Sequence, residues 1–301
     1  MDIFGLFGKP QKAKHLHLEE ALKNPKHIGE DYAVMEKLDG WYMYIDCING
    51  KWDSIRSKTG RILPSMRNYT AAFQAKKGTS LDCRLIFEAT IPGMIFKDLN
   101  GRFNQKQVAL EGVELNAHDV LVAKYPHKIF SARYSNLIAV IDHCELEGLV
   151  TAVPILAVSS QKEIWMQYYD EITSKPNGEG LILKRMNGKY TADARNHDLM
   201  KIKCELTLDL MVIDVERGEG KYSHTLGRLI VQDKNGIKNA ISGMSDAERD
   251  EWWAAPESII GAVVETKAMK ALPNGSLREG RFKAVRWDKQ ETDIDAIADY
   301  I

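Results

Sequence analysis

The chain is punctuated by short apolar runs, and most of them read as strands. Tyr32-Ala33-Val34-Met35 and Trp41-Tyr42-Met43-Tyr44-Ile45 are rich in the β-branched and aromatic residues that strands favour. Between them lies Lys37-Leu38-Asp39-Gly40, which puts a lysine near a strand end and a turn directly after it. Leu85-Ile86-Phe87-Glu88-Ala89-Thr90 predicts a strand carrying one carboxylate, and residues 113–122 predict a strand with Asn116, His118 and Asp119 at its centre. Asn177-Gly178-Glu179-Gly180 is a glycine-rich turn feeding Leu181-Ile182-Leu183-Lys184-Arg185. In the run from Asp198 to Lys203, strand alternation sets Lys201 and Lys203 on one face.

Helices are predicted where the apolar period changes. His15-Leu16-His17-Leu18-Glu19-Glu20-Ala21-Leu22 suits a short helix ending before Asn24-Pro25, and residues 65–78 suit another. Ser131 to Glu147 predicts a helix with Leu137, Ile138 and Ile141 as its core stripe. Near Cys204 to Leu206 the texture becomes short strands with glycine turns, at 208–215, 227–233, 260–266 and 281–287, the pattern of a small barrel. Ser245 to Trp253 is the one helix expected inside it.

Composition narrows the class without naming a function. The chain has 301 residues, 44% hydrophobic and 28% charged, enough for two domains with real cores. Its formal net charge of -1 leaves no global basic signature, so a nucleic-acid partner must be met by local patches. Four widely spaced cysteines form no Cys-x-x-Cys pair, which fits a reducing cytosol rather than a zinc site or disulfide framework. No run approaches membrane-span length, and Met1 to Lys9 lacks the basic lead and apolar core of a signal peptide.

Taken singly, each candidate has a bland alternative. Lys37 is a nucleophile only when neutral, and a lysine amine has a reference pKa of about 10.4, so burial or neighbouring cations must lower it; otherwise it is a hairpin lysine. Ser54 to Pro64, with Arg56, Lys58 and Arg61, is either a phosphate-contacting turn or a solvated one. Glu88 points into a site or a salt bridge, because an unpaired carboxylate in an apolar run is costly. His118 is a ring-stacking residue or a satisfied core histidine. Glu179 is a magnesium ligand or a turn glutamate. Lys201 and Lys203 face an anion or solvent. His15, His17 and His27 are metal ligands or exposed side chains.

The order of these pieces is more specific than any one of them. Lys-x-Asp-Gly, a basic Ser-Lys-x-Gly turn, a strand glutamate, His-Asp, Glu-Gly-Leu-Ile, Lys-x-Lys and a terminal Arg-x-Asp-Lys together resemble the covalent nucleotidyltransferase superfamily. Within it the chain looks like a minimal, two-domain ATP-dependent DNA ligase of the phage or bacterial kind, over about residues 32–289. The resemblance implies an α+β fold: an adenylation domain of antiparallel sheets and flanking helices over 1–205, then an OB-fold β-barrel over 206–301.

The same resemblance implies roles. Lys37 would take AMP from ATP through a phosphoramidate, with Asp39 supporting the ribose, metal and nick. Glu88 would contact the ribose and His118 the adenine. Glu179, with Asp39, would bind Mg²⁺, or Mn²⁺ in its place. Lys201 and Lys203 would hold the α-phosphate. Arg278, Arg286 and Lys289 would orient the departing pyrophosphate. Arg56, Lys58, Arg281 and Lys283 would meet DNA, and residues 94–108 form a further surface contact. Arg133 matches an arginine of the pattern without a role. The implied partner is nicked duplex DNA, with no membrane and no obligate protein partner, for a monomer in the cytoplasm, or the host cytoplasm if viral. No separate large DNA-binding domain is expected ahead of the nucleophile strand.

Three positions depart from the pattern. Met35 replaces a glutamate two before the nucleophile, with Glu36 beside it; Tyr42 replaces an arginine; His118 replaces Phe or Tyr. An RNA ligase and a GTP-dependent capping guanylyltransferase share the lysyl-nucleotide chemistry and stay open, as does an inert nucleic-acid clamp.

Overall fold

The computed structural model describes residues 7–16, 29–94, 96–175 and 178–301. The chain divides into two compact units, Met1–Lys203 and Cys204–Ile301.

The first unit carries strands β1 (Lys12–His15), β2 (Tyr32–Glu36), β3 (Trp41–Ile48), β4 (Lys51–Trp52), β5 (Arg56–Ser57), β6 (Cys83–Thr90), β7 (Glu114–Val122), β8 (Thr151–Ala152), β9 (Ala157–Ser159), β10 (Gly180–Arg185) and β11 (Arg195–Lys203). Its described helices are α1 (Arg67–Gln74), α2 (Phe96–Phe103), α3 (Phe130–His143) and α4 (Lys162–Thr173). One sheet runs β1-β11-β10-β2-β9; the other runs β4-β3-β6-β7-β8, with β5 also against β3. Period-2 alternation sorts the first sheet into two faces. Leu181, Leu183, Met200 and Ile202 pack under α4 with Trp165 and Ile172. The residues between them, Ile182, Lys184, Lys201 and Lys203, take the other face, in register with Met35 and Ala33 of β2. The second sheet buries Met43, Ile45, Leu85 and Phe87 against Phe73 and Leu137. Its opposite face presents Tyr42, Glu88 and Asn116 side by side. The two polar faces meet, because Lys184 of one sheet bonds to His118 and Asp119 of the other.

The second unit holds β12 (Leu206–Arg217), β13 (Leu226–Gln232), β14 (Lys238–Ile241), β15 (Val263–Ala268), β16 (Lys270–Ala271), β17 (Leu277–Arg278) and β18 (Arg281–Val285), with helix α5 (Asp246–Ala254). Ser245 and Glu248 close a reciprocal capping box at the start of α5. Five strands pair antiparallel in the order β14-β13-β12-β15-β18. The barrel expected from the sequence takes the form of a curled five-stranded sheet whose two edges touch at one isolated parallel bridge, Ser242 to Arg281.

Three local expectations change. His15 ends strand β1, which pairs in parallel with β11, and the Leu16 N–H continues that pairing onto the Lys201 carbonyl at 2.9 Å, so sheet pairing overrides the local helical pattern; residues 17–22 of that expected helix, and separately His27, lie outside the described residues. Ile138 is 46% exposed while Leu137 and Ile141 are buried. Neighbours on a helix diverge by about 100°, so the stripe is narrower than the apolar run. Ile260-Gly261-Ala262 form a turn ahead of β15, with Ile260 largely in solvent.

Candidate active site

Lys37 follows the last residue of β2, and its position is set from β10. Its backbone N–H donates to the Gly180 carbonyl at 2.9 Å, and its ammonium donates to the Glu179 carboxylate. The glycines around this contact are steric necessities. Gly180 has φ +120, and a Cβ there would stand 2.1 Å from the Ile202 carbonyl oxygen. At Gly40 a Cβ would meet the Glu88 Cβ at 2.8 Å, so glycine lets the loop after Lys37 lie against β6. The Asp-Gly and Glu-Gly pairs thus bring two chain segments together, with Glu179 on Lys37 and Asp39 on Glu179.

Electrostatics shows what else converges. Burial raises the Glu179 carboxyl above the usual range; Lys37 pulls it down, and Asp39, which shares a hydrogen bond with it, pushes it up again. Burial also pushes Glu88 up to about 8, against the lowering charges of Lys37 and Lys58. The Lys201 ammonium is held below the ordinary lysine range by burial and then by Lys203, Lys37, Arg195 and Lys58. The expected residues Lys37, Asp39, Glu88, Glu179, Lys201, Lys203 and Lys58 therefore lie within one electrostatic neighbourhood, although they come from five chain segments. Lys58 is exposed, with its Nζ 6.0 Å from the Tyr42 ring centre. Arg56 is committed to its own turn, donating to the Gly60 carbonyl at 3.1 Å and to Asp53 at 3.0 Å.

His118 lies beside this group, its ring centre 6.2 Å from that of Tyr42. Behind it is a buried cluster that sequence reading did not assemble. Arg133 grips Asp119 with two N–H donors, at 2.9 and 3.1 Å, and Lys184 approaches the same carboxylate at 3.3 Å. Burial alone would raise the Asp119 carboxyl, but Lys184 and Arg133 bring it down to about 2. The signal was present: Lys184 sits in an apolar strand as Glu88 does, two residues from Ile182 on the same face.

Met35 is buried among Ala33, Phe130 and Val153, an apolar wall where a glutamate would be costly. In the segment 94–108, Leu99 and Phe103 are core residues and Phe103 stacks on Trp41 at 5.4 Å, while Arg102 and residues 104–107 are exposed.

The terminal cations belong to the second unit. Arg286 reaches Asp209 at 3.4 Å and Asp288 at 2.7 Å, and Lys289 also donates to Asp209. Arg281 and Lys283 project from alternate positions of β18 into solvent, and Arg278 is half-buried in β17.

The model of the ATP-dependent DNA ligase domain matches residues 10–203, and that of the DNA ligase OB-like domain matches residues 217–286. The chain belongs to the ATP-dependent DNA ligase family. Among relatives, the DNA ligase of Methanospirillum hungatei is 28% identical over 52% of this chain and 29% of its own length. That of Nanoarchaeum equitans is 27% identical over 65% of this chain and 36% of its own. The chain thus spans about a third of these archaeal ligases. Among solved structures, a Lig E DNA ligase superposes with a TM-score of 0.71 at 21% identity, covering 92% of this chain and 99% of that one. The fold is accordingly a nucleotidyltransferase domain followed by an OB-like domain. Among the described residues, no helix is long and apolar enough to cross a membrane.

Proposed function

We propose that this chain is an ATP-dependent DNA ligase that seals a 5′-phosphate to a 3′-hydroxyl at a nick in duplex DNA. The observation that carries the reading is Lys37 bonded to Glu179 among cations contributed by β11 and the Lys58 turn. Phosphoryl-group transfer asks a protein mainly for positioning and for fixed positive charge around the phosphate, and this arrangement supplies both.

In the first step the Lys37 amine, having lost its proton, attacks the α-phosphorus of ATP. A P–N bond forms, the bond to the β-phosphate oxygen breaks, and pyrophosphate leaves. Lys201 and Lys203 neutralise the α-phosphate, while Glu88 takes the ribose and His118 faces the purine. In the second step an oxygen of the DNA 5′-phosphate attacks the same phosphorus, the P–N bond breaks and Lys37 regains a proton. In the third, the 3′-hydroxyl attacks the 5′-phosphorus and AMP departs. Arg278, Arg286 and Lys289 orient pyrophosphate, and Arg56, Lys58, Arg281 and Lys283 contact the nick.

The Glu179 and Asp39 carboxyls share a hydrogen bond, so two oxygen donors stand where a divalent cation could replace a proton. Among the described residues no group of three or more His, Cys, Asp or Glu surrounds a metal-sized space. Two carboxylates completed by water and substrate phosphate suit Mg²⁺. Bound there, it would add positive charge at the phosphates.

The test is intact mass after incubation with ATP and Mg²⁺, followed by joining of a 5′-phosphorylated nick on DNA–DNA, DNA–RNA and RNA–RNA duplexes. A gain of one AMP and joining of the all-DNA nick are expected. Joining only where RNA supplies the nick would replace the reading with RNA ligase, and labelling by GTP alone would replace it with guanylyl transfer.

A further inference from the structure

Lys184 has no part in the chemistry above, yet it is among the most enclosed cations of the first unit, 4% exposed on β10. Its Nζ meets three acceptors across the gap between the sheets. These are the His118 carbonyl oxygen at 2.7 Å, the His118 Nδ1 at 3.1 Å and Asp119 Oδ2 at 3.3 Å. An ammonium has three donors and matches them one for one. The carbonyl and the carboxylate only accept, so the proton balance turns on the contact with Nδ1. Either the ammonium donates to a bare Nδ1, or a neutral amine accepts from Nδ1–H. Reference basicities differ by about four pH units in favour of the amine. Burial lowers the Lys184 ammonium, and so does the Arg133 charge; Asp119, an anion held by Arg133 and bonded to Lys184 Nζ, opposes both and favours the proton on the amine.

We propose that Lys184 is a positioning residue that fixes the single proton of a neutral His118 ring on Nε2 and holds that ring as one wall of the nucleotide pocket. The second half of this rests on the reading that His118 faces the purine. An unrestrained histidine would be a poor wall, because it gains a charge near pH 6.5 and exchanges tautomers. The groups facing it here prevent both. Lys184 from β10 occupies Nδ1, and its charge opposes a second one on the ring. Tyr42 from β3 stands beside the ring, and Tyr190, Asp198 of β11 and Arg133 of α3 line the same cavity. Burial first, and then the Lys184 charge, push the imidazole down to about 3 despite Asp119. A histidine so held presents a neutral aromatic face, as Phe or Tyr would.

The test begins with the full chain carrying ¹⁵N-histidine, with the His118 signals assigned from His118→Phe. Long-range ¹H–¹⁵N correlation is expected to show a bare, hydrogen-bonded Nδ1 and a protonated Nε2, unchanged from pH 8 to pH 5. A protonated Nδ1, or titration near pH 6.5, would overturn the proposal whether or not the chain is a ligase. The second arm is Lys184→Met, which keeps the bulk of the side chain and leaves Asp119 to Arg133. It is expected to restore His118 titration toward pH 6.5. It should also raise KM for ATP in AMP transfer to Lys37 about tenfold, with a much smaller change in kcat. In the His118→Phe background the same substitution should leave KM unchanged. An equal rise in both backgrounds would mean that Lys184 acts on ATP directly and would sink the positioning role. Lys184→Arg, which keeps a cationic donor, should retain most of the affinity. If the wild-type chain gains no AMP, the ligase reading fails, and the tautomer measurement still decides whether Lys184 holds the ring.

Discussion

The side chains of Lys37 and Glu179 are bonded to each other although 142 residues of chain separate them. Both are nearly enclosed, at 17% and 4% side-chain exposure. The pair joins the end of β2 to the glycine turn before β10, and the β2–β10 register from Glu36–Leu181 to Tyr32–Arg185 places it there. A nucleophile so held has one direction in which to present its amine.

Replacing Lys37 with Ala should abolish the gain of one AMP while leaving the fold in place. Glu179 keeps its hydrogen bond to Asp39, and its carboxyl, already raised, can protonate rather than remain an unpaired charge. Intact mass and a thermal melt check both halves; a Lys37→Ala protein that still gains AMP would exclude this lysine as the nucleophile.

Gly180→Ala should cost about 2 kcal/mol or more and remove AMP transfer with it. The residue has φ +120 and no room for a Cβ against the Ile202 carbonyl. Urea denaturation gives the first number and adenylate labelling the second. A wild-type rate in a Gly180→Ala protein would show that the turn before β10 does not set the geometry.

Glu88 makes stability depend on pH in a definite direction. Its folded carboxyl titrates at about 8, above its unfolded value. Between about pH 4.5 and 8 the folded state therefore keeps a proton that the unfolded state has lost. Stability from this group falls as pH rises, with a slope of at most about 1.4 kcal/mol per pH unit. Glu88→Gln should thus stabilise the chain more at pH 8 than at pH 5. Melting both proteins across that range tests it, and an equal difference at the two ends would contradict it.

Asp119→Asn should destabilise the first unit by about 3–5 kcal/mol, because Arg133 and Lys184 would be left as buried cations without their anion. Protonation of the same carboxylate costs stability only in strong acid. Its folded value of about 2 lies below the unfolded one, so the contribution is complete above pH 4 and fades as pH falls through 2. A loss under 1 kcal/mol in chemical denaturation would mean that the cluster relaxes around the change.

Arg281→Ala and Lys283→Ala should weaken nick binding with little effect on melting, since both side chains stand in solvent on β18. Phosphate contacts release counterions, so each loss should also flatten the salt dependence by roughly one contact. Affinity for a nicked duplex at two or more salt concentrations decides; unchanged slopes would place DNA on another surface.

The strands that matter were legible because β2, β3, β6, β7, β10 and β11 each announce themselves by apolar content and alternation. That alternation put Lys201 and Lys203 on one face before any sheet was known. Helix α5 was legible from its cap residues, and the order of the motifs pointed to the family. Where local signal competed with long-range pairing, the sequence misled: His15 reads as helix and pairs as strand, because β11 supplies hydrogen bonds that no local pattern encodes. The barrel's closure was likewise undetermined, since a strand pattern states which residues alternate and leaves open which edges meet.

What the sequence determined by itself is therefore the set of elements and the chemical types they carry: a lysine at a strand end, lone charges inside apolar strands and glycines at the turns. Only the tertiary structure decided which of those charges answer one another. Glu179 meets Lys37, and Lys184 meets His118 and Asp119 rather than an anion from outside. The physical reason is that a buried charge states only that it needs a partner. The partner is chosen by the register and packing of two sheets whose strands are far apart in the chain.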